Sequence, residues 1–140
     1  MIYLMDTNII SETIKRTPNE AVISWLRGLD RSCCALSVLT LGEIRKGAQK
    51  LIESKKKHMI IQWLESDLLN EFSGRIISIN QKVADKWGYI SSNNNIPVID
   101  GLIAASALVY NLKLVTRNTK DFMAVPGLEL INPWELCVDV

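Results

Sequence analysis

The chain opens on a short apolar run, Met1-Ile-Tyr-Leu-Met5, which Asp6-Thr7-Asn8 stops with three polar side chains in succession. A run of that length suits a buried strand and is too short for an ordinary helix. An acid therefore stands where a strand ends, and in an open parallel α/β sheet ligands bind beyond the carboxyl ends of the strands. Helix capping is the competing reading of Asp6, because Asp, Thr and Asn are all favourable N-caps. Taken by itself, the segment leaves the two readings open.

The rest of the chain supplies the context. Thr7 to Ile14 reads as a short helix, and a second follows the turn Thr17-Pro18-Asn19-Glu20, with Ala21, Val22, Trp25, Leu26 and Leu29 on one face. Cys33 to Leu36 is a short strand, and Ser37 is placed to cap a longer helix that carries Glu43 in its first two turns. A further helix spans about Lys56 to Glu71, with a core stripe of Met59, Ile60, Trp63, Leu64 and Leu68. Arg75 to Ile79 reads as a strand, Val83 to Ile90 as an amphipathic helix, and Gly101 to Tyr110 as a buried helix opened by Asp100. Asn111 to Val115 is again strand, Thr116 to Phe122 a polar loop, and Glu129 to Ile131 an edge strand. Strands alternating with helices imply right-handed crossovers and an α/β fold of three layers, α/β/α, around a mainly parallel sheet of about four to five strands.

At 140 residues the chain fits one domain, spanning 1–140, without an evident linker or internal repeat. Its net charge of +1 conceals an uneven distribution. Arg45, Lys46, Lys50, Lys55, Lys56 and Lys57 surround a single acid, Glu53, while the stretch from Asp121 to Val140 has acids and no base. That pattern is compatible with a polyanionic partner, although solvated helix ends explain basic runs more often. No run approaches the ~20 apolar residues of a membrane span, and Asp6 and Asn8 interrupt the N-terminus too early for a signal peptide. A cytoplasmic protein is the expectation. Cys33, Cys34 and Cys137 fit no disulfide framework and no tetrahedral metal spacing, so they read as small core hydrophobes, and His58 as a solvated member of the basic cluster.

Asp6, Asp100 and Asp121 would meet near the strand C-termini, and Glu43 could reach them from the start of its helix. Capping or surface placement explains each acid singly; four at one edge are harder to dismiss. Crowded carboxylates repel and call for a cation, and a set without a His/Cys cluster favours Mg²⁺ or Mn²⁺ over zinc. A small-molecule phosphohydrolase would use a similar edge. No Gly-rich phosphate loop points to a P-loop enzyme.

Leu4-Met-Asp-Thr-Asn8 with Ser11, Ser37 through Glu43 ahead of Arg45 and Gly47, Ile99-Asp-Gly-Leu-Ile-Ala-Ala105, and Leu114-Val-Thr-Arg-Asn-Thr-Lys-Asp-Phe122 form an ordered set, extended by Pro126-Gly-Leu128 and Asn132-Pro-Trp134. In that order and spacing the chain resembles the PIN domain, and within it the toxin ribonucleases of the VapC type, including the FitB-like branch. The resemblance implies a metal-dependent endoribonuclease, the toxin of a type II toxin–antitoxin pair, with one or two Mg²⁺ or Mn²⁺ ions at Asp6, Glu43 and Asp100. Relatives place the fourth acid either at the position of Asn118 or just before the Phe; here only Asp121 is charged, so it takes the role, with Asn118 a neutral or water-mediated contributor. Thr7, Asn8 and Thr116 then orient carboxylates or water, and Arg45, Lys46, Arg117 and Lys120 are candidates for RNA phosphate contacts. The implied partners are an RNA substrate, a small antitoxin packing into a groove near the site and inserting a basic side chain toward the acids, and operator DNA through that antitoxin, with a homodimer as the expected assembly. The alternative is a corepressor module that joins an antitoxin on operator DNA, its nuclease activity weak or vestigial.

Overall fold

The computed structural model describes residues 1–136. Five strands form one sheet: β1 (Tyr3–Met5), β2 (Cys34–Ser37), β3 (Ile76–Ile77), β4 (Lys113–Val115) and β5 (Leu130–Ile131). Their order is β3-β2-β1-β4-β5 and every neighbouring pair is parallel. The opening strand is thus the centre of the sheet. Each parallel connection crosses over through helix, which covers both faces. The crossovers are α1 (Thr7–Thr13), α2 (Glu20–Arg27), α3 (Val38–Gln49), α4 (Lys55–Gln62), α5 (Leu68–Glu71), α6 (Gln81–Ser91), α7 (Val98–Val109) and α8 (Thr119–Phe122).

Two cores follow from the twofold alternation of strand side chains. Leu4, Ala35 and Leu114 point into one, against Ile103, Ala104 and Ala107 of α7. Met5, Cys34, Leu36 and Val115 point into the other, against Ile9 and Ile10 of α1, Ile44 of α3 and Leu68 of α5. Here is the expected three-layer α/β/α arrangement. The small residues of α7 let it lie close to the sheet, and Gly101 lets α6 close on its first turn. A Cβ at Gly101 would stand 3.0 Å from Trp87 Cδ1 and 3.3 Å from Ile96 Cγ2.

Several elements differ from the sequence expectation. The helix expected over about 56–71 is α4 and α5 joined by a π turn at Trp63–Asp67. That extra residue per turn rotates the apolar stripe: Leu64 and Leu68 are buried, whereas Met59, expected in the core, is exposed. α7 starts at Val98 after Pro97, so Asp100 is the third residue of its first turn instead of its cap. The expected polar loop after β4 contains the turn of helix α8. Cys34 is buried in the core, Cys33 is only half-buried in a 3₁₀ turn, and Cys137 lies outside the described residues. His58 stays exposed beside Glu53.

Candidate active site

Strand register puts the polar edge together. Met5 is level with Leu36 on one side and Val115 on the other, so the next residues, Asp6, Ser37 and Thr116, emerge side by side at the carboxyl end of the sheet. Asp6 is buried. Its Oδ1 accepts from the Thr7 backbone N–H at 2.8 Å, which makes Asp6 the N-cap of α1. Capping, the reading left open for Asp6 beside its place at the strand end, is therefore realised together with that place, because the extended backbone of the strand runs through residue 6 and helical geometry starts at residue 7. Asp6 Oδ2 accepts from Thr116 Oγ1 at 2.8 Å and from Asn8 Nδ2 at 3.4 Å. Burial raises its pKa above the ordinary carboxylate value against the pull of these bonds, and the charge of Glu43 adds to the rise.

The other expected residues gather around this centre. Thr7 Oγ1 donates to Glu43 Oε1 at 2.5 Å, tying the first turn of α1 to α3. Ser37 caps α3 by accepting from the Leu39 N–H, and so fixes the helix that delivers Glu43. Thr116 is fully buried; besides donating to Asp6 it accepts from Asn8 Nδ2 at 3.3 Å and from the Asn118 N–H at 3.1 Å. Asn8 Oδ1 accepts from the Arg117 N–H. Asn118 thus contributes its backbone, while its side chain is exposed and makes no cap bond. Asp100 is pushed up to about 6 by burial and, in decreasing order, by the negative charges of Asp6, Asp121 and Glu43. One field therefore joins four carboxylates from four separate segments.

Of the bases, Arg45 pairs with Glu65 at 2.6 Å on the surface. Lys46 and Lys120 are exposed, and Arg117 lies with its guanidinium 5.2 Å from the Trp134 ring centroid. Two residues escaped the sequence reading. Thr40 is fully buried with Oγ1 3.3 Å from Thr7 Oγ1; its spacing three before Glu43 on α3 was the available signal. Glu12 is buried, accepting from Lys15 Nζ and from the Asn19 N–H, both at 2.9 Å, and these bonds hold its pKa below the usual value; it braces the α1–α2 turn. Sequence patterning has no means of telling this buried Glu from a solvated one.

Among the described residues, no three acids converge into a ready-made metal cage. The donor set nevertheless fits a hard divalent cation: all its donors are oxygens, and Mg²⁺ keeps several waters while binding through one or two carboxylates. A groove of about 1270 Å³ runs from Thr7 and Glu43 past Ser11, Arg16 and Trp63.

The PIN domain family pattern matches residues 3–128. Toxin FitB of Neisseria gonorrhoeae is 38% identical over 136 residues, covering 94% of this chain and 97% of its own length. VapC ribonuclease Y4jK of Sinorhizobium fredii is 31% identical over 137 residues, covering 94% and 97%. Among solved structures, FitAB bound to the IR36 DNA fragment superposes with a TM-score of 0.89 at 34% identity, covering 99% of this chain and 100% of the other. VapBC2 from Rickettsia felis bound to a promoter DNA fragment gives 0.75 at 31%, covering 94% and 98%. With a central β1 ending in Asp6, helices on both faces and this similarity along nearly its whole length, the chain belongs to the PIN domain family, among the VapC-type toxins.

Proposed function

We propose that the chain, as a single PIN domain over residues 1–140, is the toxin of a type II toxin–antitoxin pair and cleaves RNA as a Mg²⁺- or Mn²⁺-dependent endoribonuclease. The supporting observation is that Thr116, Asn8 and Thr7 hold the Asp6 and Glu43 carboxylates at one sheet edge, with Asp100 and Asp121 close enough for the charges to raise the Asp100 carboxyl. Relatives bearing the name ribonuclease VapC place RNA cleavage within this family.

Asp6, Glu43, Asp100 and Asp121 would hold one or two ions. An ion bound by them would supply activation of water and offset the charge that builds on a phosphodiester. The chain's own residues supply the rest. The raised proton affinity of Asp100 reflects burial and the repulsion of Asp6, Asp121 and Glu43, which a bound cation would offset, and a carboxylate of the set would take the proton of the attacking water. Water oxygen then bonds to phosphorus as the bond to the leaving ribose oxygen breaks. Thr116 and Asn8 fix the orientation of Asp6, Thr7 that of Glu43, and Asn118 contributes through its N–H to Thr116. Lys46, Arg117 and Lys120 remain exposed for the RNA strand, and Arg45 pairs with Glu65 on the surface.

The partners follow from similar solved structures, a toxin–antitoxin complex from Klebsiella pneumoniae and the FitAB and VapBC2 assemblies, each of the latter two bound to DNA. An antitoxin segment would seat in the groove beside Thr7 and Glu43, and operator DNA would be met through the antitoxin, with the toxin as a homodimer. Among the described residues no helix is long and apolar enough to cross a membrane, which suits action on RNA in the cytoplasm. The test is cleavage of total RNA by pure protein with Mg²⁺ or Mn²⁺, its loss in EDTA, and its loss in Asp6→Asn. Asn also caps helices, so that variant should fold. Asp6→Asn protein with undiminished cleavage would overturn the site, and wild-type protein that binds antitoxin and operator without cutting RNA would leave the corepressor reading.

A further inference from the structure

We infer that Arg117, held over Trp134, is a stacking seat for an unpaired base of the RNA next to the cleaved phosphate; this rests on the ribonuclease reading. Arg117 directly follows Thr116, the residue whose hydroxyl holds Asp6. Its guanidinium lies 5.2 Å from the Trp134 centroid, within cation–π range. The two residues are fixed by a shared clamp. Asn132 Nδ2 donates to the Arg117 carbonyl at 3.2 Å, and Asn132 Oδ1 accepts from the Trp134 N–H at 2.9 Å. The Asn8 side chain anchors the Arg117 N–H from the other direction. Trp134 packs against the core cluster that contains Val115, so the indole backs the pair from inside. Arg117 itself is exposed. Among the described residues no carboxylate lies within 4 Å of it, in contrast to Arg45 with Glu65, although its charge helps to keep Glu12 ionised.

An exposed planar cation, backed by an aromatic ring and fixed in its backbone, is suited to a flat π surface. Sequence-specific recognition of single-stranded RNA uses such planes, bases stacking on aromatic rings and on arginine guanidinium groups. A nucleotide whose phosphate lies over Asp6 and Asp100 must carry its base clear of the carboxylates. Arg117, one residue beyond Thr116, borders that set through its backbone, and its charge also acts on the buried Glu12 of α1. The pair would thereby help choose where the strand is cut, beyond contributing charge.

Arg117→Lys separates plane from charge, because lysine keeps the cation and loses the flat face. Cut sites of the wild type are first mapped on total RNA with Mg²⁺. Short oligoribonucleotides spanning one site are then made intact and with an abasic nucleotide at each position flanking the cut. For the wild type, one abasic position should lower kcat/KM by on the order of ten-fold. Arg117→Lys should be slower by a similar factor on the intact strand and indifferent to the abasic position. Trp134→Phe should keep the wild-type response, with thermal unfolding of each variant verifying its fold. An Arg117→Lys enzyme with wild-type kcat/KM, or one as sensitive to the abasic position as wild type, overturns the stacking seat. A folded wild type that cleaves no RNA overturns the ribonuclease reading, and the seat with it.

Discussion

Thr116 donates its hydroxyl proton to Asp6 Oδ2 at 2.8 Å across 110 residues of sequence, and both side chains are buried at the carboxyl end of adjacent strands. Thr116 Oγ1 in turn accepts from Asn8 Nδ2 and from the Asn118 N–H, so one hydroxyl uses its single donor and both acceptor positions. β1, β4 and the loop after β4 meet there. Thr116→Val keeps the shape and removes all three bonds. A loss of about 1–3 kcal/mol in urea-unfolding free energy is expected, since a buried carboxylate and a backbone N–H lose a partner. Thr116→Ser, which retains the hydroxyl, should recover most of it; equal losses for Val and Ser would mean that the methyl group's packing matters instead.

The bond from Thr7 to Glu43 performs the parallel task between α1 and α3. Thr7→Val should leave the fold intact and reduce Mn²⁺ affinity and RNA cleavage by roughly 10–100-fold, the usual range when a partner of a metal-binding carboxylate is removed. Isothermal calorimetry with Mn²⁺ gives the binding part without relying on turnover. Thr40→Val, one step further from the carboxylate, should give a smaller loss of the same kind. Wild-type Mn²⁺ affinity in Thr7→Val would show that Glu43 is oriented by α3 alone.

How far these relationships could be read from sequence depends on what kind of signal each residue leaves. Asp6 and Thr116 end apolar runs, and the strand–helix alternation places both at one sheet edge, so their proximity was legible. Asp100 was placed at that edge as well, but the helix it was expected to open starts three residues earlier, because Pro97 takes the N-cap position of α7. Met59 looked like core by periodicity and is exposed, since a π turn leaves no mark in a 3.6-residue pattern. The surface pairing of Arg45 with Glu65, 20 residues away, leaves no local mark in the sequence. Burial of Thr40 and Glu12 depends on packing from other segments, which no local pattern reports.

The charge repulsion at the edge should appear as a pH dependence of the metal-free protein. Asp100 titrates at about 6 in the folded chain against 3.8 for the free carboxyl. Between those values the folded state binds more protons than the unfolded state, so this group's contribution is fully present below 3.8 and is lost as pH rises through about 6. Asp6 shifts in the same direction. In EDTA, the melting temperature should therefore rise on going from pH 7.5 to 5.5, on the order of a few °C given the partial exposure of Asp100. Glu12 has the opposite sign, but its loss begins only at lower pH because its pKa is depressed. Asp100→Asn should melt higher than wild type at pH 7.5 and show a weaker pH response; an unchanged response would remove Asp100 from the shared field.

Which side chain completes the acidic set can be decided between Asp121 and the Asn118 position. Asp121, in α8, contributes to the rise of Asp100 while remaining exposed. Asn118 caps that turn by position, without a side-chain bond, and donates its N–H to Thr116. Asp121→Asn should cut RNA cleavage by at least ten-fold if its charge helps hold the cation, and should also lower the pKa of Asp100, measurable by NMR titration in EDTA. An acid at residue 118 would start one residue from the α8 turn, where Asp is well tolerated, so Asn118→Asp should fold normally. Introduced into Asp121→Asn, it should restore a measurable part of both cleavage and Mn²⁺ affinity, because the missing negative charge returns beside Thr116. Failure of the double variant with its fold intact would fix the fourth carboxylate at Asp121; full activity in Asp121→Asn alone would reduce the set to Asp6, Glu43 and Asp100.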